Sequence, residues 1–344
     1  MEMWREIQEQ PEALVKCIAA NQRVISALVE EIRSRNIKTV VIAARGTSDN
    51  AGTYGRYIIE CGTGIPVSLA APAVYTVYKR DMRLSDCLVI GISQSGSAED
   101  VAQVIRTAKT CGALTVCITN DEKSMLAQTA GYHLHLNTGV ERSVAATKTC
   151  TATMYLLANL LADWTADNRL KRELARVPEG IQKVLDNNDR VEEVVSHLLN
   201  IRECYVLARG INYPVAMEAA LKLQETCYIH AHAFATSDFY HGPYALIQPH
   251  TLTMLFAPQG PSFASVAEML ERLTQTGAKT LAATNDRDLA RRASLSFIIP
   301  SATDDVISAF YNVVFSQMTA LRLAVGTGKN PDSPRNLKKV TITC

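Results

Sequence analysis

Hydroxyl-bearing residues gather at two places in this sequence. Gly46-Thr47-Ser48 follows the apolar run Thr39-Val40-Val41-Ile42, and Ser93-Gln94-Ser95-Gly96-Ser97 follows Leu88-Val89-Ile90-Gly91-Ile92. Hydroxyls, a carboxamide and backbone N–H groups at strand ends are the donors that phosphoryl oxygens require, and a helix starting there adds the positive end of its dipole. Local capping is the competing account, because Ser97-x-x-Asp100 fits a capping box. A cap needs one hydroxyl, whereas both loops carry several, so the pattern favours phosphate. Nucleotide motifs are absent: there is neither Gly-x-x-x-x-Gly-Lys-Ser/Thr nor Gly-x-Gly-x-x-Gly after a strand. Ser95 stands where a hydrolase nucleophile elbow beginning at Gly91 would close with glycine, which disfavours a serine hydrolase.

A second group lies further along. Asn212-Tyr213-Pro214 has the form of a helix start, and from Val215 to Ile229 the positions off one stripe are mostly apolar, so a largely buried helix is expected. The stripe is charged: Glu218, Lys222 and Glu225 fall at i, i+4 and i+7 on one face. Charges buried in this way are paired or put to use, and a structural Glu–Lys–Glu ladder accounts for the spacing as well as a working carboxylate does. His230, His232 and His241 follow, the last in the polar loop Ser237 to Pro243. A glutamate and a histidine close together can share proton transfers on a sugar. The histidines form no recognisable metal-ligand pattern, and neither a metal nor a cofactor is expected.

The elements that must position these residues occur twice. Ala44-Arg45-Gly46 recurs as Ala208-Arg209-Gly210, and the apolar run before Ser93 has its counterpart in Leu252 to Phe256 before Ala257-Pro258-Gln259-Gly260. Gly112-Ala113 with Thr119-Asn120-Asp121 recurs as Gly277-Ala278 with Thr284-Asn285-Asp286. Three matches in order at a nearly constant offset indicate one domain duplicated. Within each half, short Val/Ile/Leu-rich runs alternate with helical patterns such as Ala98 to Thr110 and Val266 to Thr276, the mark of a doubly wound parallel sheet. Ligands of such sheets bind beyond the carboxyl ends of the strands. Ile211 and Ala257-Pro258-Gln259 replace the hydroxyls in the second half, so the first half is expected to bind the anion. Asp167 to Asn200 reads as a helical connector interrupted at Pro178 and Gly180.

Composition narrows the partners. Of 344 residues, 47% are hydrophobic and 20% charged, an ordinary globular mix, and 35 Lys+Arg against 34 Asp+Glu leave a net charge of +1. That supplies no field for gripping nucleic acid or an anionic membrane, so neither is an expected partner. The uncharged stretches Thr149 to Ala162 and Val306 to Leu321 are too short for a bilayer and read as buried helices. The N-terminus lacks a signal-peptide layout, and nine scattered cysteines do not form a disulfide framework, which together suggest a cytoplasmic protein.

At this level of detail the chain resembles the sugar isomerase (SIS) superfamily, and along nearly its whole length it is similar to the isomerase part of glucosamine-6-phosphate synthases. The motifs are Ala-Arg-Gly-Thr-Ser at 44–48, Ser-Gln-Ser-Gly at 93–96, Ala-Leu-Lys-Leu-Gln-Glu at 220–225, Tyr-Ile-His-Ala at 228–231, His-Gly-Pro at 241–243 and Pro-Arg-Asn-Leu-Lys-Lys at 334–339. The resemblance implies an α/β fold of two tandem SIS subdomains, each a doubly wound parallel sheet flanked by helices. The expected divisions are an N-terminal helical segment (1–34), a phosphosugar-binding subdomain (35–165), the connector (166–200), a second subdomain with the acidic helix and histidine loop (201–328), and a tail (329–344). It further implies that Thr47, Ser48, Ser93, Gln94 and Ser95 hold a sugar phosphate, and that Gly46, Val144, Glu218 and Lys222 line the site. Glu225 would move a proton between C1 and C2, His241 would assist ring opening from a neighbouring subunit of a homodimer, and Lys339 would form an imine with the ketose.

Some residues depart from the family pattern. Ala98 and Ala146 replace hydroxyl residues near the phosphate, and His232 and Tyr240 stand where the synthases usually carry Glu and Lys. The synthases also need an N-terminal glutaminase domain with a cysteine after the initiator Met, whereas here residue 2 is Glu and Cys17 lies in a helical stretch. The expected activity is therefore the deaminase direction, glucosamine 6-phosphate to fructose 6-phosphate and ammonia. Alternatives are a synthase-like isomerase or a deglycase acting on another amino-sugar phosphate. A non-catalytic phosphosugar sensor is the alternative from another class. The prolines of the tail suggest a segment laid along a defined path rather than a loose basic end.

Overall fold

The computed structural model describes residues 1–302 and 304–339, and the last part of the expected tail, Val340 to Cys344, lies outside the described residues. The chain forms two compact units. The first comprises residues 9–141, 148–175 and 338 onward, and the second comprises residues 1–8, 142–147 and 176–337.

The first unit is built on β1 (Thr39–Ala43), β2 (Val67–Leu69), β3 (Cys87–Ile92), β4 (Leu114–Thr119) and β5 (Tyr132–His135), all parallel in the order β2-β1-β3-β4-β5. β3 and β4 are buried at every position, as strands covered by helices on both faces must be, and β3 accordingly reads as an unbroken apolar run, whereas β4 includes Thr115 and Thr119. The helix Glu99–Thr110 covers one face with Val101, Val104, Ile105 and Ala108, which pack with Val41, Ala43 and Val89. The helices Gln10–Ser34, Thr47–Thr63 and Lys148–Trp164 pack on one another as a further layer, the last buried almost all round.

The second unit repeats the plan with β6 (Glu203–Ala208), β7 (His230–Ala235), β8 (Leu252–Phe256), β9 (Lys279–Thr284) and β10 (Leu295–Ile298). Its order, β10-β9-β8-β6-β7, is again parallel and matches that of the first sheet strand for strand, as the duplicated motifs require. The long helix Asp305–Gly326 is buried along its length and capped by Asp304, whose carboxylate accepts from the Val306 and Ile307 N–H groups. Both uncharged stretches lie inside helices, and among the described residues no helix is long and apolar enough to cross a membrane.

The connector differs from expectation. Its helices are Asn168–Leu174, Val177–Asp186 and Asn188–Ser196, with breaks at 175–176 and at 187 rather than at Pro178 and Gly180. Pro178 lies in the first turn, where its missing N–H breaks no hydrogen bond. Gly180 stays inside the helix because Tyr311 packs against it: a Cβ there would stand 2.3 Å from the tyrosine ring.

Candidate active site

In the first sheet the strand order reverses between β1 and β3, the point beyond whose carboxyl ends ligands of such sheets bind. Ala43 pairs with Gly91, and the two serine loops therefore leave adjacent strands at the same level. Gly46 precedes the helix Thr47–Thr63, so Thr47 and Ser48 occupy its first turn. In the other loop the Ser93 N–H donates to the Ile118 carbonyl, and the Gly96 N–H donates to the Ser93 carbonyl and closes the turn. Gly96 is required there: φ is +64°, and a Cβ would fall 2.1 Å from the Ser124 hydroxyl oxygen. Ser93 is only 8% exposed. Its hydroxyl, that of Ser48 and the Gln94 amide have no hydrogen-bond partner among the described residues, whereas Ser95 Oγ accepts from the Ser97 N–H at 3.3 Å. Donors left unused at a strand-order reversal can receive an anion.

The capping-box alternative is not formed. The helix begins at Glu99 with Ala98 at its cap position and no side-chain cap. Asp100 is buried and engaged elsewhere: Oδ2 accepts from Arg45 Nε at 2.7 Å and Oδ1 from the Val101 N–H at 2.9 Å. Burial raises the Asp49 carboxyl above its ordinary value, and the nearby Arg45 charge partly offsets this. Arg45 lies in the Ala-Arg-Gly repeat that marks the duplication, but nothing in its spacing marks it as a site residue.

Lys339 belongs to the same unit. Its Nζ donates to Glu141 Oε2 at 2.8 Å, and Glu141, wholly buried, also accepts from the Thr149 N–H at 3.1 Å and the Thr149 hydroxyl at 2.9 Å. The two Thr149 donors hold the carboxylate, which in turn holds the ammonium. Spacing offered no signal for Glu141.

In the second unit the helix Tyr213–Lys222 starts with Pro214 in its first turn and continues as a π-type turn, Leu223–Cys227, that ends at Tyr228 with φ +57°. The charged stripe forms the expected ladder. Lys222 is fully buried with Nζ 3.3 Å from Glu218 and 2.5 Å from Glu225, and of the three only Glu225 keeps an exposed part, 21% of its side chain. His230 and His232 lie two apart on the edge strand β7, where alternation puts both on one face, and His232 stacks on Tyr205. His241 is exposed in the loop after the helix Thr236–Phe239, and its ring has no partner among the described residues. Val144 is half-buried, its N–H donating to the Asp332 carbonyl at 3.4 Å, and Glu6 secures its neighbours by accepting from the Arg142 N–H and the Ser143 hydroxyl.

The tail follows a defined path over the described residues. Asp332 accepts from the Glu2 and Met3 N–H groups at 2.9 and 2.7 Å. The Arg335 guanidinium lies 4.3 Å from the Tyr228 ring centroid, and the Arg335 backbone N–H donates to the Tyr228 hydroxyl at 2.9 Å. Tyr228 thus joins the tail to the turn that carries Glu225.

Duplicated doubly wound sheets with a polar cradle at the first strand-order reversal define a class. The chain belongs to the SIS domain family, whose model matches residues 34–162 and 197–326. It is 32% identical over 351 aligned residues to the isomerizing glutamine–fructose-6-phosphate aminotransferase of Thermococcus kodakarensis, covering 99% of this chain and 58% of that protein. The curated relatives it matches are longer, and the chain spans 57–59% of their length. Among solved structures it is similar to a candidate phosphosugar isomerase of Silicibacter pomeroyi (29% identity, TM-score 0.88, 96% of this chain and 100% of that one). The C-terminal domain of the Francisella tularensis glucosamine–fructose-6-phosphate aminotransferase is also close (26%, TM-score 0.86, 97% and 98%). At 21% identity and a TM-score of 0.78, covering both chains in full, the fold is shared with a Thermotoga maritima glucosamine-6-phosphate deaminase.

Proposed function

We propose that the chain is a phosphosugar isomerase whose reaction converts glucosamine 6-phosphate and water to fructose 6-phosphate and ammonia. The observation that carries it is the Glu218–Lys222–Glu225 ladder, in which a buried ammonium lies between two carboxylates and only Glu225 reaches solvent. A carboxylate held beside an ammonium, with one face open, is equipped to take a carbon-bound proton and return it to the neighbouring carbon. The similarity to the isomerase part of aminotransferases that act on fructose 6-phosphate supports the same sugar.

In this mechanism Ser48, Ser93, Gln94 and Ser95 hold the phosphate of the open-chain sugar, with Thr47 and Gly46 at the helix start beside them. Glu225 removes the C2 proton, giving an enolamine, and delivers a proton to C1. The resulting C2 imine adds water and expels ammonia, leaving the ketone. Lys339, oriented by Glu141, condenses with that ketone to an imine with loss of water, and hydrolysis returns the ketose and the free amine. His241 serves ring opening in a second copy of the chain, for which its exposed, unengaged ring is suited.

The test is to incubate the protein with glucosamine 6-phosphate and measure ammonia and fructose 6-phosphate together, with Glu225→Gln alongside. Equimolar products that disappear in the variant are expected. Absence of both products while the sugar phosphate still raises the melting temperature would refute the reaction and leave phosphosugar binding. Absence of both effects would refute the site as well.

A further inference from the structure

The serine cradle as described has hydroxyls, an amide and N–H groups but no full positive charge, while a phosphomonoester carries close to two negative charges at neutral pH. One cation stands at its edge. Arg45 lies two residues beyond Ala43, as Ser93 lies two beyond Gly91, and Ala43 and Gly91 are register partners on adjacent strands. Arg45 and Ser93 therefore emerge side by side at the strand-order reversal.

Arg45 is held in a specific way. Its Nε donates to Asp100 Oδ2 at 2.7 Å, and the carboxylate is 1% exposed and further tied by the Val101 N–H. The Arg45 side chain itself is 52% exposed. The Nη1 and Nη2 groups make no hydrogen bond among the described residues. A guanidinium anchored through Nε presents its outer edge as a fixed fork, the geometry that matches two oxygens of a phosphoryl group. In the second half Arg209 keeps the arginine, but Ala264 occupies the position equivalent to Asp100 and the arginine donates instead to the Ser237 hydroxyl. The aspartate anchor and the hydroxyl cradle thus occur together in one half and are lost together in the other.

We propose that Arg45 binds the phosphoryl group of the substrate through its Nη edge, oriented by Asp100, and so sets the preference for a phosphorylated over an unphosphorylated sugar. This rests on the serine loops being the phosphate site. The experiment measures binding of inorganic phosphate and of glucosamine 6-phosphate by calorimetry to the wild type and to Arg45→Met, Arg45→Lys and Ser93→Ala, with unfolding midpoints recorded for each. Loss of a charge-assisted hydrogen-bonding group weakens Kd by roughly ten- to a hundred-fold, the expected result for Arg45→Met with both ligands. Arg45→Lys keeps a charge near Asp100 without the fork and is expected to lose affinity by several-fold with its midpoint unchanged. That second variant separates binding from folding if Arg45→Met is destabilised. Wild-type affinity in both arginine variants, with weakened binding in Ser93→Ala, would overturn the role of Arg45 and leave the cradle intact. Wild-type affinity in all three would overturn the cradle and the inference with it.

Discussion

Replacing Lys222 by methionine tests the ladder directly. The side chain is fully buried, Glu218 beside it is 1% exposed, and methionine nearly matches the lysine stem in volume, so packing changes little while the ammonium is lost. Removing one partner of a buried ion pair typically costs about 3–5 kcal/mol because the other charge is left without compensation. Two carboxylates face the lost ammonium here, and because Glu225 is partly solvated, most of the cost falls on Glu218. Lys222→Met should therefore lower the opening free energy of this unit by about 3–5 kcal/mol. The double variant Glu218→Gln, Lys222→Met, which removes both buried charges, should recover most of that loss. Native-state hydrogen exchange of the amides in β6 and in the helix Tyr213–Lys222 reads this unit separately from the other. A single variant within about 1 kcal/mol of wild type would show that the buried charges are not mutually dependent, since even an ordinary hydrogen bond contributes that much. A double variant as weak as the single one would assign the cost to packing instead.

Two further outcomes follow from the geometry. Gly180→Ala should destabilise the second unit by about 1–3 kcal/mol through collision with Tyr311, exceeding the roughly 1 kcal/mol that alanine gains in a helix, and urea unfolding that shows no loss would contradict it. Burial, reinforced by His135, holds the His133 imidazole below its usual 6.5. The unfolded chain then binds the proton more readily than the folded one, so stability contributed at higher pH is lost as pH falls below about 6.5. Urea midpoints measured between about pH 7.5 and 5.5 should decline less in His133→Gln than in wild type, and identical slopes would remove His133 as the cause.

Much of the architecture is legible in the sequence. Parallel strands buried on both faces are nearly continuous apolar runs, so β1, β3, β6 and β8 are legible as such runs, and the recurring Ala-Arg-Gly and Thr-Asn-Asp motifs indicate two sheets of one topology. The ladder at Glu218, Lys222 and Glu225 was legible because helical neighbours three and four apart share a face. Interruption of the connector at Pro178 and Gly180 was the wrong inference, because a first-turn proline starts a helix and Tyr311 explains the glycine.

What the tertiary structure alone decided are the partners that hold the site. Arg45 meets Asp100 across 55 residues, Ser143 meets Glu6 across 137, and Lys339 meets Glu141 across 198. Residue periodicity reports which face of an element is buried, a local property repeated every two or 3.6 positions. Which buried carboxylate meets which cation depends on how elements far apart in the chain are brought together, and no local pattern encodes that distance.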